Sequence, residues 1–110
     1  MKVVRRIEGE RYPAADHFNV WSAVKVKEGE SVRTTVAWSH FLPDGGAKMK
    51  PSARERLYYI ISGSITVTGD DGEHVLNPGD SIYIPPNENR SISVNNNEPA
   101  TMLVIIVRVD

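Results

Sequence analysis

The sequence has 110 residues, room for one core of ordinary size, and no cysteine, which removes disulfides, thiolate metal sites and thiol nucleophiles. Hydrophobic residues at 40% and charged residues at 25% are the balance of a globular chain, which excludes global disorder. Thirteen Lys and Arg against fourteen Asp and Glu leave a net charge of −1 with the cations scattered, which argues against a nucleic-acid partner.

In chain order the sequence is a series of short alternating runs broken by turn signals, the pattern of an all-β sandwich or barrel in one domain spanning residues 1–110. The first run is Asn19 to Val26, closed by a turn at Glu28-Gly-Glu-Ser31. From Val32 to Leu42 one face carries Val32, Thr34, Val36, Trp38, His40 and Leu42, and alternation places this more apolar set toward the core. Pro43-Asp-Gly-Gly46 reads as a turn. Ser52-Ala-Arg-Glu55 matches a capping box, so a short helix there has to be weighed against the strand that the following β-branched and aromatic residues demand. Leu57 to Ser62 and Ser64 to Thr68 are successive strands around Gly63. Asp70-Asp-Gly72 and Pro78-Gly-Asp80 are turns on either side of His74 to Leu76. Ser81 to Ile84, Ser91 to Val94 and Thr101 to Val109 complete roughly eight to ten strands. The longest apolar run, Met102 to Val107, is far short of the ~20 residues of a spanning helix, so no membrane partner is expected. The charged N-terminus lacks a signal-peptide core, which makes cytoplasmic residence the expectation.

Tyr59-Ile-Ile-Ser-Gly63 resembles the end of the first cupin motif, G-x5-H-x-H-x3-E-x6-G, and Gly79-Asp-Ser-Ile-Tyr-Ile-Pro85-Pro-Asn87 resembles the start of the second, G-x5-P-x-G-x2-H-x3-N. Fifteen residues separate Gly63 from Gly79, similar to the shortest spacing in that superfamily. The resemblance implies a double-stranded β-helix, or jelly-roll, barrel, and a homodimer with the Trp21 and Ala23 side as candidate contact. Asn87 stands where the second motif has a glycine, a position needing left-handed backbone that Asn tolerates. The metal-ligand positions of the resemblance fall on Lys50, Ser52, Arg56 and Arg90. Three cations around a divalent cation are the wrong donors, so neither metal nor other cofactor is expected.

The function expected is therefore metal-independent binding of a small anionic organic ligand, a carboxylate or sugar-derived acid, in the barrel. Acid/base isomerisation, dehydration or decarboxylation would be the chemistry if it is an enzyme. The alternatives are a non-catalytic binding or sensor cupin, and a metal-dependent one with non-standard ligands. Arg56 shares a face with Tyr58 and Ile60, and Arg90 with Ile92 and Val94, which points both guanidiniums inward as anion anchors, unless Arg90 simply reaches water at the barrel mouth. Lys50 would add charge, and Trp38 and Tyr83 would line the pocket. His40 is the only histidine whose parity turns it inward. It is expected as the proton-transfer residue with Tyr58 as partner, against the alternative of a hydrogen-bonded core histidine. His17 and His74 read as structural.

Overall fold

The computed structural model describes residues 1–110 as nine β-strands and no helix. They are β1 (Glu10–Arg11), β2 (His17–Val26), β3 (Thr34–Lys50), β4 (Glu55–Ser62), β5 (Ile65–Gly69), β6 (Gly72–Leu76), β7 (Ser81–Ile84), β8 (Arg90–Val94) and β9 (Ala100–Val107). Hydrogen bonding runs in the order β6-β5-β8-β3-β9-β4-β7, with β2 attached to β3 and β1 to β2. All the named pairings are antiparallel, and the sheet curls into the nearly closed jelly-roll barrel that the motifs imply. There is no helix long and apolar enough to cross a membrane.

β3 organises the barrel. Its first half, Thr34 to Phe41, pairs with β9, and its last residues, Gly46 to Lys50, pair with β8. The expected turn at Pro43 to Gly46 is instead a corner within this strand, where Asp44 takes φ 62° and the chain passes from one wall to the other. Gly46 is required there, because a Cβ would overlap the Ile92 carbonyl oxygen of β8. The capping box forms no helix. Ser52 Oγ accepts from the Arg54 N–H at 3.2 Å, but Glu55 already begins β4. Asn87 holds φ 65°, the backbone role foreseen for it.

The core is filled by Phe41, Tyr58, Ile60, Ile65, Val67 and Met102, and closed by small residues at Ala37, Ala47 and Ala100. A barrel this narrow takes large side chains from some strands only if others contribute small ones. This corrects the parity expected for β3. Ala37, Ser39 and Phe41 point inward, while Val36, Trp38 and His40 lie on the outer face. The larger, more apolar set lies outside, where residues 4–7 stand over it and Trp21 of the neighbouring β2 packs beside it.

Candidate functional site

The alternation of β4 buries Arg56, Tyr58 and Ile60 at 4%, 2% and 0% exposure, and that of β8 buries Arg90 at 8% and Ile92 at 3%. These strands lie on opposite walls, so both guanidiniums enter the barrel from different sides. Arg90 donates from Nε to the Tyr58 hydroxyl at 2.7 Å and from Nη1 to the Lys48 carbonyl at 3.4 Å. Arg56 donates from Nη2 to the Glu88 carbonyl at 3.3 Å, and its buried Nε has no partner. Neither arginine has a carboxylate within ion-pair distance, and no Asp or Glu is among the buried residues. Burial and the Arg90 charge push the Arg56 guanidinium below its ordinary value, with Tyr58 opposing. It nevertheless stays charged, as guanidinium does in proteins.

His17, the first residue of β2, also belongs to this interior. It pairs with Ala47 of β3, which pairs with Ile92 of β8, so the three share one inward row. Its ring stacks on Phe41, with centroids 6.3 Å apart and planes 17° apart. Nδ1 lies 2.8 Å from the Ala15 carbonyl. A carbonyl only accepts, so in the neutral ring Nδ1 carries the proton and Nε2 keeps its lone pair. Burial pushes the His17 imidazole below its usual value and the charges of Arg90 and Arg56 add to this, while the Ala15 carbonyl and Asp16 oppose it. Tyr12 packs against the same core, and its phenol is pushed up by burial and then by Tyr58.

Of the residues singled out from the sequence, Arg56, Tyr58 and Arg90 are thus brought together. His40, Trp38 and Lys50 are not, and Tyr83 meets Arg90 only in the wall of a small cavity of about 140 Å³ that Ile84 also lines. His40 and Trp38 face outward from β3, with Trp21 and Trp38 ring centroids 5.2 and 5.5 Å from the imidazole. One layer of backbone separates them from Tyr58. Tyr83 is half exposed on the outer side of β7 and donates to Glu55 Oε2 at 2.8 Å, because β7 presents Ile84 inward and so turns its neighbour out. Lys50 lies exposed at the end of β3, where its ammonium pairs with Asp16 at 2.8 Å and holds that carboxyl below its usual range. His17 was missed because Pro13 and Asp16 make its surroundings look like a loop. The alternation of Phe18, Asn19 and Val20 signals only that the strand reaches back to position 17, not which way His17 points.

The Cupin domain family model matches residues 37–106. A β-D-galactosidase of Mycobacterium tuberculosis is 33% identical over 109 residues, covering 96% of this chain and 93% of that one. This chain is a cupin. Among solved structures it is similar to the polyketide cyclase RemF from Streptomyces resistomycificus, with TM-score 0.84 at 18% identity over 97% of this cupin and 79% of that chain. KdgF from Halomonas sp. gives 0.82 at 11% identity over 99% and 96%. At those identities the likeness is one of fold.

The donor set of this cupin does not fit a divalent metal. Arg56 and Arg90 occupy two of the family's ligand positions inside the barrel, and no group of three or more His, Cys, Asp or Glu side chains is placed to hold an ion. Two fixed cations there repel a divalent ion instead of ligating it.

Proposed function

We propose that this cupin binds a small organic acid, of sugar-derived carboxylate type, with its anionic group between Arg56 and Arg90 and against Tyr58. The observation that carries this reading is the pair of buried guanidiniums without any carboxylate partner. Buried charge of one sign is costly unless a counter-charge meets it, and guanidinium matches a carboxylate with paired hydrogen bonds. The similarity to a β-D-galactosidase supports a carbohydrate skeleton for the ligand. Glycoside hydrolysis by paired carboxylates is not supported, because no Asp or Glu is buried.

Where the bound acid carries a carbonyl, His17 is the proton-transfer group. Its neutral Nε2 stands near fixed positive charge that would stabilise the enolate left when a neighbouring C–H proton moves to it. The reading includes a homodimer. Tyr59, Ile61 and Tyr83, exposed at 47%, 38% and 51% on the outer side of β4 and β7, supply an apolar strip for a second copy, whereas Ala23 is buried within its own chain.

Thermal melts with galacturonate and with galactose test the binding. The acid should raise Tm and the neutral sugar should not, and the rise should disappear in Arg90→Met. Equal stabilisation by both sugars, or by neither among a panel of sugar acids, overturns the reading. For the chemistry, wash-in of deuterium from D2O beside the carbonyl of a keto sugar acid should fall roughly 100-fold in His17→Asn. Binding without any wash-in makes this cupin a non-catalytic binding module.

A further inference from the structure

A cavity of about 500 Å³ lies outside the barrel, between residues 4–7 and the outer face of β2, β3 and β9. Its floor is apolar and aromatic, made by Trp21, Trp38 and Leu103. His40 sits between the two indoles, its Nδ1 2.9 Å from Thr101 Oγ1 and its other ring nitrogen without a partner. The rim is basic. Arg5, Arg6 and Lys25 line it, no acidic residue does, and none of the three is in an ion pair with a carboxylate. Lys25 is held in place by the backbone carbonyls of Arg6 and Glu8, so its charge is fixed at the rim without being neutralised.

We propose that this outer cavity is a second small-molecule site, and that it takes a flat aromatic ring bearing an anionic group. Size, shape and charge each contribute. The volume is in the range of small-ligand pockets. Indole faces stack on flat apolar rings, and unpaired cations at the edge select an acid. Hydrogen-bonding capacity then separates an aromatic acid from a sugar acid. The polar side chains that line the cavity are donors, apart from one imidazole nitrogen, so the several hydroxyl protons of a sugar would find at most one side-chain acceptor. A ring with a carboxylate brings only acceptors and an apolar face. This site is independent of the barrel interior, from which β3 divides it.

The chain has two tryptophans, Trp21 and Trp38, and both line this cavity, so intrinsic fluorescence reports on it directly. Titration with benzoate should give a saturable change in emission, and benzamide, the neutral isostere, should bind at least tenfold more weakly. Arg6→Gln should weaken benzoate at least fivefold, and Arg90→Met should leave it unchanged. Lys25→Gln, which also loosens residues 6–8, should do no less than Arg6→Gln. The proposal fails if benzoate gives no saturable change or if benzamide matches it. It also fails if Arg90→Met abolishes the response while Arg6→Gln keeps it, which would return benzoate to the barrel. An emission change that follows protein concentration alone, together with a doubled mass in light scattering, would give the cavity to a second copy and overturn the proposal as well.

Discussion

Arg90 and Tyr58, 32 residues apart on opposite walls, share a 2.7 Å hydrogen bond in which the phenol oxygen is the acceptor. The hydroxyl proton of Tyr58 is therefore free to be donated, and the charged groups nearest to it are guanidiniums, which accept nothing. In the proposed complex a ligand oxygen accepts that proton. Tyr58→Phe leaves the ring and removes both functions. Galacturonate affinity by calorimetry should fall at least tenfold, and denaturant unfolding should show a loss of about 1–3 kcal/mol from the stranded Arg90 Nε.

Arg56→Met should separate stability from binding. The buried guanidinium has an unpartnered Nε and a like charge nearby, so an apolar chain of similar length relieves a cost. Thermal melts should show Tm unchanged or raised, with the response to galacturonate lost. A variant that unfolds would mean that Arg56 is held by structure and not for a ligand.

Both His17 and His40 are pushed below the ordinary histidine value, chiefly by burial. The unfolded chain therefore binds protons more readily than the folded one. Their contribution to stability is present above the unfolded value of about 6.5 and is lost as pH falls from there through the folded values. Melting curves between pH 7.5 and pH 4.5 should show Tm dropping with acid, and His17→Gln should make the drop shallower. A profile equally steep in His17→Gln assigns it to other groups.

Gly63 holds φ 75° between β4 and β5, and a Cβ there would overlap the Pro99 carbonyl oxygen and lie 2.7 Å from the Ala100 Cα. Left-handed backbone and contact with a fixed strand act together, so Gly63→Ala should cost about 2–4 kcal/mol, read as a shift in urea midpoint. An unshifted midpoint would show that β9 moves aside freely.

The interior site was legible on β8 because Arg90, Ile92 and Val94 alternate with serines, and on β4, whose two faces are both apolar, because the motif register placed Arg56 at a ligand position of the resemblance. β3 was misread because both of its faces carry apolar residues, and in a narrow barrel the interior belongs to Ala37, Ser39 and Phe41 while the bulk of Trp38 goes outside. His40 followed Trp38 into that error. His17 was hidden by a different effect, since its inward direction is fixed by pairing with Ala47, 30 positions away, and pairing at that distance leaves no local mark.

β9 lies between β3 and β4 in the sheet, yet it is the last of the nine strands in the chain. During synthesis β3 and β4, which it joins, must wait with unpaired edges until residues 100–107 leave the ribosome. Its ladder to β3 links residues 59 to 73 positions apart, such as Ala37 with Val104, so closure is a late, non-local and slow event. Until then Arg56 and Arg90 remain in water, and their desolvation is deferred to the step that seals the barrel.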